Sequence, residues 1–183
     1  MAIELSKLEP HPCNSAELEQ YVTEGDLAAF WLLAIDQLDD LRHKSVLDLG
    51  SGGGFPGIIL SITKPQNPIN LLEGSEKKCY FLKKIKHELS LENANIINQT
   101  INQNNTLGTF DVITARAFAS TQKILELTQK NTHKKTKYLL LKGKEKTINK
   151  ELKDIDNTRY KYEIIKQDTS YLERNIILIK PNE

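Results

Sequence analysis

Val46 to Ile58 reads VLDLGSGGGFPGI, an aspartate set in an apolar run and followed by a cluster of glycines. Gly52 to Gly57 has the spacing G-x-G-x-x-G, which alone points weakly to a dinucleotide. Two details speak against that ligand. The match starts several residues past the apolar run, whereas the dinucleotide fingerprint opens at the strand end. Asp48 also stands two residues before Gly50, and a carboxylate that close to a diphosphate is repelled. Near an ammonium or sulfonium the same carboxylate is favourable, directly or through a water. The stretch Asp48, Gly50, Ser51, Gly52 therefore suits S-adenosylmethionine, with glycines that let the backbone approach the methionine part.

A second acid, Glu73, closes the run INLLE. A carboxylate at a strand end can accept both ribose hydroxyls of an adenosine, which fits adenosylmethionine and NAD equally. It can also serve only the turn into the next helix; the glycine loop upstream favours the nucleoside. Metal chemistry is poorly supported. The chain has two cysteines, Cys13 and Cys79, four histidines and no C-x-x-C, which argues against zinc and against a disulfide framework. No nucleophile–base pair stands out.

These residues need elements to hold them. SVLDLG, INLLE, NANIIN, FDVITA and KYLLLKG are short, nearly continuous apolar runs and read as buried strands. Between them lie helical stretches: Pro56 to about Thr63, Lys78 to Leu89 with Ser75 as cap, and Ser120 or Thr121 to about Lys130. Lys144 to Asp156 follows as a further helix. TRYKYEIIK and RNIILIK have no helix-length segment between them and read as an antiparallel pair closing the sheet. Leu18 to Leu41 carries apolar residues at helical spacing, with Phe30 and Trp31 on its core face. Strands alternating with helices predict an α/β fold with a parallel sheet covered on both faces. Ligands in such sheets bind beyond the strand C-termini, where strand order reverses. The VLDLG loop belongs there.

The 183 residues, 39% hydrophobic and 27% charged, suit a single globular domain with a short N-terminal helical segment, about residues 1 to 44. The N-terminus lacks a secretory pattern, and the apolar run LAAFWLLAI is too short to span a bilayer. A cytoplasmic protein without membrane contact is expected, monomeric by default. The net charge of +1 hides an asymmetry. Residues 1 to 60 hold three Lys/Arg against ten Asp/Glu, and residues 121 to 183 fifteen against nine. A basic C-terminal third suits a polyanion or is simply a solvated surface.

VLDLGSGGGFPGIILSI, LLEGSEKKCYFLKKIKHELSLEN, FDVITARAFAS, LLLKGK and LERNIILIK occur in this order between about Val46 and Lys180. Together they resemble the RsmG/GidB family, bacterial small-subunit ribosomal RNA (guanine-N7) methyltransferases. The resemblance implies a Rossmann-like class I methyltransferase: a mainly parallel seven-stranded sheet with an antiparallel C-terminal pair and helices on both faces. It implies S-adenosylmethionine as cofactor, with Gly50 and Phe55 on the methionine side, Glu73 at the ribose, and Ile101 and Asn102 flanking the adenine. Asn102 stands where the family usually has an acid. Arg116, in ARAFAS, would lie near the cofactor carboxylate and the mouth, and Lys142 and Arg174 would face RNA. The substrate implied is small-subunit ribosomal RNA or the small ribosomal subunit.

Guanine N7 has an exposed lone pair and loses no proton before attack, so in-line displacement needs no general base. Positioning would supply most of the acceleration, with Arg116 as the residue expected to provide it. Two other functions stay open: methyl transfer to a small molecule or a protein, and a non-catalytic RNA- or ribosome-binding role. The latter is suggested by Phe30, Leu33 and Ala34, which replace polar residues of the family pattern.

Overall fold

A computed structural model describes residues 41–167 and 174–182. Cys13 and the expected helix ahead of Leu41 lie outside these residues. The chain runs through β1 (Val46–Leu49), α1 (Gly57–Thr63), β2 (Ile69–Glu73), α2 (Glu76–Glu88), β3 (Ala94–Asn98) and β4 (Phe110–Arg116). It continues through α3 (Thr121–Thr128), a 3-10 turn (Gln129–Asn131), β5 (Thr132–Lys142), α4 (Glu145–Leu152), β6 (Tyr160–Gln167) and β7 (Arg174–Pro181).

The strands form one sheet in the order β3-β2-β1-β4-β5-β7-β6. The first five pair in parallel, and β7 runs antiparallel between β5 and β6. The central strands are apolar on both faces because each face meets a helical layer. Val46, Leu71, Val112, Leu139 and Ile176 pack with Ile58 and Leu60 of α1 and Leu82 of α2. Their alternate neighbours Leu47, Leu72, Ile113, Leu140 and Ile177 pack with Ile124 and Leu125 of α3 and Ile148 and Leu152 of α4. Asp48 is the exception in this pattern. It shares the α1 face with Val46, on a strand whose four residues are all buried.

Some boundaries differ from the sequence reading. β5 starts at Thr132, well before the apolar run, because Thr136 turns inward and donates to the Phe110 carbonyl at 2.6 Å. The polar run THKKT hides this extension, and the register shifts between Phe110 and Val112 where it pairs. α4 ends at Leu152 instead of Asp156, yet Ile155 still packs into the core from the following turn. α3 ends at Thr128 and tightens into the 3-10 turn. Ser120 caps it, accepting from the Lys123 N–H at 3.4 Å. Ser75 stands at the N-cap of α2 but makes no side-chain cap bond. The Glu73 carboxylate accepts the Ser75 N–H instead.

Candidate functional site

β1 lies between β2 and β4, so the chain leaves β1 toward one side of the sheet and returns on the other. That is the reversal point where open α/β sheets bind ligands. Gly50, Gly74 and Ala117 follow the ends of β1, β2 and β4, and Gly143 follows β5. β7 is antiparallel and starts at this same edge, with Asn175 opposite Lys142. Arg174 is thereby brought to the strand ends that carry Arg116 and Lys142.

The glycine loop is tied to both neighbouring strands. Gly50 and Ser51 donate their N–H groups to the Leu72 carbonyl at 2.9 and 3.2 Å. Gly52 donates to Glu73 Oε2 at 3.0 Å, while Glu73 Oε1 accepts from the Ser75 N–H at 2.8 Å. Glu73 is 8% exposed. Each carboxylate oxygen retains acceptor capacity beyond its one backbone donor. Gly50 has φ +65, and a Cβ there would fall 2.6 Å from the Phe118 ring. Both facts require glycine. A Cβ on Gly52 would lie 3.2 Å from Glu73 Oε2 and 3.1 Å from Lys78 Cδ, filling the corner in front of the acid. An acceptor-rich carboxylate behind a Cβ-free loop is a cradle that fits a ribose and its attached chain.

Asp48 and Ser51 depart from the expectation that they meet the cofactor. Asp48 is 0% exposed, so no ligand in the crevice reaches its carboxylate. Oδ2 accepts the Gly57 N–H at 3.1 Å, and Oδ1 accepts the Thr114 hydroxyl at 2.9 Å. Asp48 thus bolts α1 and β4 to the end of β1. Burial pushes its pKa up to about 6, against the hydrogen bonds it accepts and the charge of Arg116. Ser51 is 1% exposed and donates to the Asp48 carbonyl at 2.8 Å. The strand's two-residue alternation sends the Asp48 side chain into the α1 layer, away from the crevice.

Phe55 and Arg116 do come together. The Arg116 guanidinium lies 5.1 Å from the Phe55 ring centroid, a cation–π contact that holds both at the mouth. Burial lowers the Arg116 pKa from its ordinary value; Asp48 opposes this and Arg174 adds to it. Arg116 and Arg174 therefore sense each other as like charges at one edge.

Ile101 is 7% exposed and packs in the same core as Leu72. Asn102 is exposed, but its Oδ1 accepts the Asn104 N–H at 2.9 Å, and its own N–H donates to Asn105 Oδ1. One lone pair of its amide oxygen is thereby used within the loop. Thr100 Oγ1 stands 2.7 Å from where a Gly74 Cβ would be, which sets this loop against the end of β2.

Lys142 also departs from expectation. Its ammonium turns inward, donating at 2.8 Å to the Ala119 carbonyl and at 2.8 Å to Glu151 Oε2. The sequence reading missed its partner Glu151, and also Thr114, Gly57, Lys78 and the seat of Phe118 on Gly50. Gly57 was discoverable in principle from the F-P-G triplet. The Lys142–Glu151 contact spans nine residues across a strand–helix turn, and no sequence pattern marks it.

A mainly parallel seven-stranded sheet in this order, with a reversed β7 and a glycine loop facing an acid at the β2 end, defines a class I methyltransferase. Solved structures share that fold at low identity. A methyltransferase from Pyrococcus furiosus has a TM-score of 0.74 at 18% identity, covering 94% of this chain and 88% of that one. The precorrin-6y C5,15-methyltransferase from Geobacter metallireducens GS-15 has 0.69 at 15%, covering 90% and 91%. The family model described as rRNA small subunit methyltransferase G matches residues 31–176, and the chain belongs to that family. Relatives named ribosomal RNA small subunit methyltransferase G include one from Brachyspira hyodysenteriae, 36% identical over 85% of this chain and 75% of its own length. Another, from Borreliella burgdorferi, is 38% identical over 81% and 71%. A third, from Ruthia magnifica, is 40% identical over 56% and 51%, so that match spans about half the length of the relative.

Proposed function

We propose that this chain transfers a methyl group from S-adenosylmethionine to N7 of a guanine in small-subunit ribosomal RNA by in-line displacement. The observation that carries the reading is Arg116. Its guanidinium is stacked on Phe55 at the mouth of a glycine-lined crevice, with Arg174 close enough to perturb it. Membership of a family described as rRNA small subunit methyltransferase G supplies the acceptor class.

When bound, S-adenosylmethionine supplies an electrophilic methyl group on a positively charged sulfur. Glu73 accepts the ribose hydroxyls with the acceptor capacity left by Gly52 and Ser75. Gly50 and Phe55 line the methionine side. Ile101 and Asn102 border the adenine through the loop set against Gly74. Arg116 pairs with the amino-acid carboxylate and orients the incoming guanine. Asp48 and Ser51 act one layer behind, holding the loop, and the Asp48 charge partly offsets that of Arg116. Arg174 contacts RNA phosphate, and the basic C-terminal third extends that field. The chain works as a single domain and a monomer, in the cytoplasm, on small-subunit RNA or the small subunit itself. Among the described residues no helix is long and apolar enough to cross a membrane.

The test is methyl transfer from labelled S-adenosylmethionine to unmodified small-subunit RNA and to intact subunits, with the product nucleotide identified after digestion. Label is expected in 7-methylguanosine, with turnover falling on the order of 100-fold in Arg116→Ala as alignment is lost. Cofactor binding without label in either substrate would sink the RNA reading and turn attention to a small-molecule or protein acceptor.

A further inference from the structure

Arg116 ends β4, paired with Leu141 of β5, and Phe118 sits on the short loop that leads from it to α3, which has no regular hydrogen-bond ladder of its own. Ala117 adopts φ +49, a conformation that L-residues rarely hold unaided. Something must keep the loop in place. At one end it leaves β4; in the middle, Phe118 presses on Gly50. At its far end three donors converge on a single oxygen, Glu151 Oε2. These are the Thr121 N–H at 2.8 Å, the Thr121 hydroxyl at 2.7 Å and the Lys142 ammonium at 2.8 Å. Lys142 then donates its second bond to the Ala119 carbonyl. Thr121 is fully buried, and the Lys142 and Glu151 side chains are only 14% and 18% exposed.

We propose that Lys142 and Glu151 are a positioning pair: together they lock residues 117–121 so that Arg116 and Phe118 meet the glycine loop, and Lys142 is not a phosphate contact. The chemistry favours this assignment. A lysine reserved for phosphate stays extended and solvated, whereas this one is paired at charge-assisted distance and aimed at a backbone carbonyl. The acid beside it repels an approaching phosphate. Glu151 also supplies the acceptor that the first N–H of α3 lacks within the helix. Burial raises the Glu151 pKa, but Lys142 and Thr121 together hold it below its ordinary value, so the carboxylate stays ionised at neutral pH.

The inference rests on the proposed methyl-transfer reading for its kinetic arm and is independent of it for its structural arm. The structural arm is amide hydrogen exchange of residues 117–121 in the full chain and in Lys142→Met, Glu151→Gln and the double variant. Glu151→Gln is isosteric, keeps an acceptor for Thr121, and serves if Lys142→Met fails to fold. Protection is expected to fall in each variant, no further in the double than in either single, as for residues acting as a unit. Unchanged protection in Glu151→Gln would overturn the proposal. The kinetic arm compares kcat and KM for RNA and the salt dependence of RNA binding. Both single variants are expected to lose ~10- to 100-fold in kcat, with the RNA salt slope unchanged. The opposite pattern also overturns it: Lys142→Met lowering the salt slope by about one, as one lost phosphate contact does, with Glu151→Gln binding RNA more tightly. If the parent chain methylates no RNA, the exchange arm still decides.

Discussion

At the scale of single residues, Asp48 is the most informative side chain. It is an acid in a fully buried strand, with an ordinary pKa of 3.8 that burial pushes up to about 6. Between those two values the folded chain binds more protons than the unfolded one. Stability contributed by this group is therefore greatest below the unfolded value and falls as pH rises through about 4 to 6. The size of the effect is on the order of 3 kcal/mol at most. Asp48→Asn keeps an acceptor for the Gly57 N–H and a donor for Thr114 Oγ1. It is expected to fold and to flatten that part of the stability-versus-pH profile, measured by urea unfolding at intervals from pH 4 to 7. A variant whose profile retains the parent's slope would mean that other groups set it.

At the scale of elements, the packing of α1 against β1 depends on an absent side chain. The Gly57 N–H reaches Asp48 Oδ2, and a Cβ on Gly57 would fall 2.7 Å from that oxygen and 3.0 Å from Leu71 Cδ2. Neither neighbour is a flexible surface tip; both are fully buried. Gly57→Ala is expected to destabilise by about 1–3 kcal/mol, the usual range for overpacking a dense core. Chemical denaturation would read this as a lower midpoint with an unchanged slope. The cofactor is expected to bind more weakly as well, because the glycine loop leads directly into α1. An unchanged midpoint would show that α1 can shift away from β1 at little cost.

At the scale of the molecule, the sheet divides the core into two layers that share the strands. β7 is central to this division although it comes last in the chain. Ile177, at 0% exposure, packs with the α3 and α4 layer and is paired to Leu140 on β5 and Ile164 on β6. Ile177→Ala removes buried methyl groups far from the crevice and is expected to cost about 2–5 kcal/mol. β7 also brings Arg174 to the edge of the sheet where we propose that methyl transfer occurs, so looser packing should reduce that transfer at temperatures well below unfolding. Thermal melts and activity measured on the same variant test both halves. Full stability would mean that the surrounding layer collapses into the gap.

Periodicity in the sequence by itself determined the strand and helix order, the antiparallel closing pair and the place of VLDLG at a strand end. Buried strands and amphipathic helices carry those signals locally. Gly50 and Glu73 could be proposed from residue type and place, because a glycine loop and a strand-end acid constrain what a nearby ligand can be, whereas Phe55 and Arg116 were proposed only through the family resemblance. The direction of individual side chains was not legible. Asp48 faces α1, Ser51 folds back on the Asp48 carbonyl and Lys142 turns to Ala119 and Glu151, since burial and hydrogen-bond satisfaction are settled by neighbours distant in sequence. The early start of β5 was hidden for the same reason: only the Phe110 carbonyl, twenty-six residues away, makes Thr136 an inward-facing residue. Tertiary structure alone decided which charged groups meet the crevice and which hold it in shape.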